Sequence, residues 1–291
     1  MKRETVAVAA LAAGTGIGLL ARSEYERKHM VTRECTVRLP DRARGLDGLT
    51  AVFISDLHDN ELGEDNADLL QAVRKAKPDL VLIGGDMPTV KPWKEKDFSA
   101  LARLFNRLAA DYPIFYGLGN HEQRMKDEDY SGWWEEYSSL LEGMGICILD
   151  NTSVQIRRKD SVLRITGLSL DGDYYNKLKI KEADRAMVEK LVGPRTDMDY
   201  ELLLVHNPIY MDAYSSWGAD LVLSGHLHGG TIRIPVLGGV MTPQLQFFSP
   251  YTKGDLTQGS TRMLVSAGLG THSIDIRLNN RPELVVIRFK A

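Results

Sequence analysis

Cysteine is nearly missing from this chain, with Cys35 and Cys147 the only copies in 291 residues. They are too few for a disulfide framework and too far apart for a zinc-finger spacing, so neither device can rigidify the fold. The redox compartment stays open. An excess of positive charge is missing as well: the net charge is −3, and no stretch carries a lysine and arginine stripe, which argues against nucleic acid as a partner. Internal repeats, low-complexity tracts and a dividing linker are also absent, so the body of the chain reads as a single unit. What is present is a composition of 43% hydrophobic and 26% charged residues, enough apolar material for a large core.

The longest uncharged run is at the N-terminus, from Thr5 to Ala21, between Lys2-Arg3 and Arg22. As a helix it spans roughly 25 Å, a little short of the about 30 Å hydrocarbon core of a bilayer. Residues 1–30 are expected to be a membrane-targeting segment, either an uncleaved anchor or a cleaved signal, with a buried soluble helix as the third reading. Gly14 and Gly18 have the spacing of a close helix contact. An anchor would hold the 31–291 domain at the cell membrane, with the domain outside, and cleavage would release it as a secreted protein. Basic residues on both sides of the run leave its orientation undetermined.

From Leu49 onward, apolar runs of strand length alternate with helical spacing. Buried strands are predicted over 50–55, 80–83, 113–116, 201–205 and 220–224, and helices over 65–77, 98–110, 130–145 and 181–192, with Asp65 as a cap. An edge strand is predicted at 35–39, a hairpin at 154–157 and 162–167, and further strands at 232–235, 262–266, 273–277 and 284–289. Trp133 and Trp134 read as packing residues. The acidic and aromatic loop 168–175 could line a pocket, but reads better as a solvated loop.

Metal-type side chains gather where these strands end. Asp56 and His58 leave the first strand two residues apart, so on an extended segment they face the same way and can share one ion through O and N donors. Asp86 follows Gly84-Gly85 and can project into a crevice as a bridge between two ions. Asn120 and His121 are neighbours and should point oppositely, so an Asn120 facing metal leaves His121 facing substrate as a general acid. His206 closes a later strand. His226 and His228 follow Gly225, two residues apart, and could each grip one of two neighbouring ions, with Gly225, Gly229 and Gly230 supplying backbone freedom. Singly, each pattern has a bland reading as a turn or a pair of surface histidines. Jointly, all eight residues sit at the carboxyl ends of predicted strands, where ligand crevices form. Five of the seven histidines are used in this way, leaving His29 and His272. One dinuclear site accounts for polar groups that a core would have to bury one by one.

In this order, Asp-x-His, Gly-Asp, Gly-Asn-His-Glu, a strand-ending His and Gly-His-x-His resemble the calcineurin-like metallophosphoesterase family, from about Leu49 to the C-terminus. The closing run 268–283, with Gly-His-Leu-His-Gly-Gly, resembles its bacterial membrane-associated branch, which includes exported phosphoesterases and a pyrophosphate hydrolase acting on a UDP-diacylglucosamine. Thr231 and His272 depart from the residues usual in that branch, and both departures bear on substrate choice. The resemblance implies an α/β fold of two facing mixed β-sheets flanked by helices, here preceded by an N-terminal hydrophobic helix. It assigns Asp56, His58 and His228 to one metal and Asn120, His206 and His226 to a second, with Asp86 bridging.

The function expected is therefore hydrolysis of a phosphate ester or pyrophosphate bond on a membrane or cell-envelope substrate, such as a lipid-linked phosphodiester or pyrophosphate. Two divalent ions, manganese, iron or zinc, would activate a water and hold the phosphate. Asn120 and His206 would stabilise developing charge, and His121 would protonate the leaving oxygen. The alternatives are a membrane-tethered, non-catalytic binding scaffold with the same fold, and a dinuclear hydrolase of another type such as an amidase. Oligomeric state is not addressed by the sequence.

Overall fold

A strand covered on both faces has no solvent side to alternate with, and so its sequence is apolar throughout. Runs of this kind form the centre of two sheets. The computed structural model describes residues 3–177, 179–271 and 274–291. Helix α1 (Arg3–Lys28) leads into β1 (Val31–Arg38), β2 (Thr50–Ile54), α2 (Ala67–Ala76), β3 (Leu80–Ile83), α3 (Ser99–Ala109) and β4 (Ile114–Gly117). Next come α4 (Asn120–Arg124), α5 (Trp133–Gly143), β5 (Cys147–Leu149), β6 (Thr152–Arg158), β7 (Ser161–Leu168), α6 (Arg185–Val192) and β8 (Tyr200–Val205). The chain closes with α7 (Met211–Trp217), β9 (Leu221–Ser224), β10 (Arg233–Ile234), β11 (Gly238–Gly239), β12 (Gly254–Gln258), β13 (Thr261–Val265) and β14 (Glu283–Lys290).

The first sheet has the order β1-β14-β2-β3-β4-β5 and the second β12-β13-β9-β8-β7-β6. Each is mixed: β2 to β5 run parallel with β14 reversed against β2, and β7, β8, β9 and β13 run parallel with both edge strands, β6 and β12, reversed. Phe53, Leu82 and Val285 of one sheet meet Ile165, Leu204 and Leu223 of the other in the central core. Helices α2, α3 and α5 cover the outer face of the first sheet, and α6 and α7 that of the second. This is the expected pair of facing mixed sheets flanked by helices. Trp133 packs edge-on against Phe98 and Tyr130, as its helical position suggested.

Several local expectations are corrected. Asp65 does not cap α2: its carboxylate pairs with Arg103 and Arg107, while Asn66, in the left-handed region, accepts the Leu62 amide. Helix α6 starts at Arg185 rather than near 181, because the Asp184 carboxylate accepts the Met187 amide and sets the boundary. The described part of the 273–277 run is not a strand, since the Arg277 amide donates to Ser23 Oγ (3.0 Å) instead of to a ladder. His272 and Ser273 lie outside the described residues. Strands β5 and β12 were not anticipated, being a three-residue edge and a half-exposed polar one.

The last two turns of α1 are packed on the body. Ser23 and Glu26 are buried there, and Glu26 Oε2 accepts the Asn280 amide at 3.0 Å. Ile17, Leu19 and Leu20 are exposed. Among the described residues no helix is long and apolar enough to cross a membrane.

Glu283, at the start of β14, is fully buried and accepts from Arg33 of β1 (3.0 Å) and the Ala267 amide (3.1 Å), with Lys253 Nζ at 2.5 Å. Burial raises its pKa, but Lys253 and Arg33 outweigh burial and hold the carboxyl below its usual range. Glu283→Gln leaves both cations unpaired and should lower stability by about 3 kcal/mol in urea unfolding near neutrality. Because the folded-state pKa is depressed, this stabilisation is present above the unfolded value, about 4.3, and fades as pH falls through the folded value. The gap between the wild-type chain and the variant should therefore close on acidification, and a gap that is constant with pH would contradict the assignment.

Candidate metal centre

The carboxyl ends of β2, β3 and β4 in one sheet meet those of β8 and β9 in the other at one edge of the sandwich. Asp56 and His58 follow β2, Asp86 follows β3, Asn120 and His121 open α4 after β4, His206 follows β8, and His226 and His228 follow β9. Donor atoms of Asp56, His58 and His228 lie within 4.8 Å of one another, as do those of His58, Asp86 and His121, and those of Asp86, His206 and His226. Asn120 lines the same cleft as Asp86, His226 and His228. All eight residues singled out in the sequence are thus brought together, and His226 and His228 fall in different groups.

They converge by a different backbone from the one expected. Asp56, His58, Asp86, His226 and His228 all have φ between 47° and 66°, so the segments that carry them are turns in the left-handed region rather than extended strand ends. Such conformations cost about 1 kcal/mol or more each and persist where the surroundings dictate them. Here the Asp56 amide donates to Gly85 O and the His58 amide to Asp86 O. Gly225 is required for space rather than for φ: a Cβ there would stand 2.1 Å from Asp56 Oδ2. Asn120 and His121 are also not extended, since they begin a helix.

Hydrogen bonds fix which nitrogen of each ring faces the centre. His206 Nδ1 donates to Gly84 O (2.6 Å) and His228 Nδ1 to Gly270 O (3.1 Å), so in the neutral form of each ring, the form a metal would bind, Nε2 presents its lone pair. His206 Nε2 lies 3.1 Å from Asp86 Oδ2, and His228 Nε2 3.5 Å from Asp56 Oδ1 and 3.1 Å from His58 Nε2. His121 is arranged the opposite way. Its Nδ1 accepts the Val90 amide at 2.7 Å, so the neutral ring carries its proton on Nε2, which makes it a donor rather than a ligand.

In Asp86, Oδ1 accepts the His121 amide at 2.8 Å, while Oδ2 faces His206 and, at 3.7 Å, His58. Burial pushes Asp56 up to about 6, with His206 opposing and Asp86 reinforcing the rise. For Asp86 the burial penalty is outweighed by His206, His121 and His58, which hold it well below the usual carboxylate range. His206 is desolvated, yet the two carboxylates raise it to about 10. Asn120 Oδ1 is buried with no hydrogen-bond partner among the described residues. Two buried carboxylates, inward lone pairs and an orphaned amide oxygen fit a divalent cation, with a mixed O and N donor set that suits manganese, iron or zinc.

The support behind these groups was partly missed. Glu122 is fully buried and receives four donors: the amides of Asp86, Met87 and Gly119 (2.9–3.0 Å) and the Tyr116 hydroxyl (2.6 Å). It ties the turn carrying Asp86 to the start of α4. The signal was available in its place three residues after Gly119 at a helix start. Lys91, Trp93, Arg124, Tyr175 and Lys177 line the cleft mouth, far apart in sequence. Tyr175 packs edge-on against His226 at 4.9 Å, so the aromatic end of the 168–175 loop does line the pocket, while Asp171 and Asp173 are solvated.

Helix α1 also reaches this centre. Asn280, held by Glu26, donates through Nδ2 to His228 O (2.7 Å), and Arg277, whose amide is held by Ser23, donates to Gly270 O (2.6 Å), the carbonyl that orients the His228 ring. Ser23→Ala combined with Glu26→Ala should weaken metal binding about tenfold in calorimetry, the scale of an outer-shell loss. Deleting residues 1–21 should not, because it leaves both side chains in place. Equal affinities for the double variant and the wild-type chain would remove α1 from the support of the centre.

The chain is similar in sequence to known proteins. The chain is 28% identical over 295 aligned residues to the metallophosphoesterase YkuE of Bacillus subtilis, covering 98% of this chain and 94% of that one. It is 27% identical over 239 residues to the phosphodiesterase YaeI of Escherichia coli, covering 81% and 80%. Among solved structures, a 5′-nucleotidase precursor from Thermus thermophilus aligns with a TM-score of 0.47 at 16% identity, over 76% of this chain and 49% of that one. The family described as calcineurin-like phosphoesterase matches residues 49–230, a span that contains every clustered residue from Asp56 to His228. A hydrolase with divalent metal as cofactor follows from that match, and the chain belongs to the calcineurin-like phosphoesterase family.

Proposed function

We propose that this chain is a dinuclear metal-dependent phosphoesterase that hydrolyses a phosphate ester or pyrophosphate bond. The observation that carries the reading is the position of Asp86 Oδ2, 3.1 Å from His206 Nε2 and 3.7 Å from His58 Nε2, where one carboxylate oxygen serves both donor groups. Asp56, His58 and His228 would hold one ion, Asn120, His206 and His226 the other, with Asp86 between them. When bound, such a pair supplies an activated water at neutral pH and a clamp for phosphate oxygens. The remaining tasks belong to the chain. His121 sits with His58 and Asp86 and, once protonated to the imidazolium with its Nδ1 released from the Val90 amide, would donate the Nε2 proton to the leaving oxygen. Asn120 and His206 would stabilise charge that develops on the phosphate. Lys91, Arg124 and Lys177 at the mouth favour an anionic substrate.

A membrane or cell-envelope setting is part of the proposal. It is supported by the exposed apolar side chains of α1 and of the 234–248 segment. The test is turnover of bis(4-nitrophenyl) phosphate by the full chain before chelation, after it, and after reloading with manganese, iron or zinc. Activity should fall to background and return with at least one of these metals. Activity indifferent to chelation would overturn the metal mechanism, and a chain that binds no metal would favour the scaffold reading.

A further inference from the structure

Beside the metal cleft lies a cavity of about 150 Å³ that shares Lys177, His228 and Pro243 with it. Away from His228 its wall is made by Met241, Pro243, Leu245, Ile274 and Ile276. Among the described residues, three of the polar side chains that border it, Thr242, Thr271 and Arg277, are already engaged within the protein, and Lys177, His228 and Thr231 complete its polar lining. Thr242 Oγ1 accepts the Gln246 amide, Thr271 Oγ1 donates to Asp275, and the Arg277 guanidinium donates to the carbonyls of Ala267, Gly268, Gly270 and Asn280. Against the wall of Met241, Pro243, Leu245, Ile274 and Ile276 a sugar or base would leave polar groups unpaired, whereas hydrocarbon would give up no hydrogen bond.

The apolar wall also continues outward. Leu245 and Ile274 are 49% and 52% exposed, and Met241 pairs with Phe247, which is 66% exposed beside Phe248 at 49%. Large apolar side chains left in contact with water at the rim of a functional cleft mark a binding surface. From the shared wall at His228, we infer that this cavity takes the hydrocarbon portion of an amphiphilic phosphate ester whose phosphate lies at the metal centre, an inference that rests on the phosphoesterase reading above. An apolar cavity of roughly this volume holds a benzene-sized group, so about six carbons are enclosed. A longer chain leaves over Leu245, Ile274 and Phe247.

The experiment is a chain-length series. Full-length protein loaded with the metal that restores turnover is given 4-nitrophenyl alkyl phosphodiesters, from methyl to decyl, below their micellar concentrations. Burial of each methylene should raise kcat/KM about fourfold up to roughly six carbons and then level off. Met241→Gln and Ile276→Asn each place an amide in the apolar wall and should cut the hexyl-to-methyl ratio at least about tenfold. Calorimetric binding of hexylphosphonate against methylphosphonate should show the same order without turnover. The wild-type series needs no variant, so misfolding of either substitution leaves the test intact. Good turnover with a flat series overturns the cavity assignment and leaves the phosphoesterase standing. No turnover of any ester, with no phosphonate bound, overturns both.

Discussion

Asp86→Asn should strip the protein of metal. The substitution preserves size and an acceptor for the His121 amide, now 2.8 Å from Oδ1, so the turn after β3 has no steric reason to move. What it removes is one of the two buried carboxylate charges in the centre, and the oxygen that faces both His58 and His206. A neutral amide in that place neither balances cationic charge nor bridges well. The affinity for manganese, iron or zinc should fall by more than about 100-fold, beyond what loss of an outer-shell partner produces. Elemental analysis after gel filtration should read two ions per chain for the wild-type protein and one or none for the variant. Circular dichroism of the metal-free forms separates metal loss from misfolding. Two ions retained at full affinity would end the bridging role of Asp86.

His121→Ala should leave metal content unchanged and reduce turnover in a way that depends on the leaving group. The Val90 amide occupies Nδ1 at 2.7 Å, so a ring that coordinated metal through Nε2 would have to give up that bond. As a hydrogen-bond donor through Nε2 it keeps that bond, and it exchanges the bond for a second proton when it acts as the acid. Loss of a positioned acid costs about 100- to 10,000-fold where the leaving oxygen is a poor one, and about tenfold or less where 4-nitrophenolate departs unaided. Comparing an alkyl phosphodiester with its 4-nitrophenyl counterpart isolates that difference. Equal loss on both esters would count against proton donation, and loss of metal would make His121 a ligand.

The central strands were legible because burial on both faces leaves no room for polar residues. Leu80–Ile83 has the predicted bounds, and the strands carrying Asp56, Asn120, His206 and His226 are placed within a residue or two. Elements defined by side-chain contacts were less legible. Asp65 looked like a cap and instead pairs with Arg103 and Arg107 of α3, a contact between residues about forty positions apart. The 273–277 run had strand composition, but the Arg277 amide is taken by Ser23 of a helix at the other end of the chain.

The same division runs through the site. Residue type and strand-end position were enough to pick out Asp56, His58, Asp86, Asn120, His121, His206, His226 and His228, because few chemical roles explain eight such groups at the ends of buried strands. The reasoning from extended geometry did not carry over, since five of these residues adopt left-handed φ. A two-residue period describes a strand, and these segments had already turned. Which nitrogen faces inward, the four donors on Glu122, the basic cleft mouth and the α1 link to His228 were decided only when the two sheets closed on each other. Sequence by itself determined the strand and helix pattern and the metal-type residues at strand ends, which follow from local hydrophobic pattern and side-chain chemistry, and the order of its motifs carried the resemblance to the family. The tertiary structure alone decided tautomers, shared carboxylate geometry and the apolar cavity, because each depends on distances between segments that the chain's order does not encode locally.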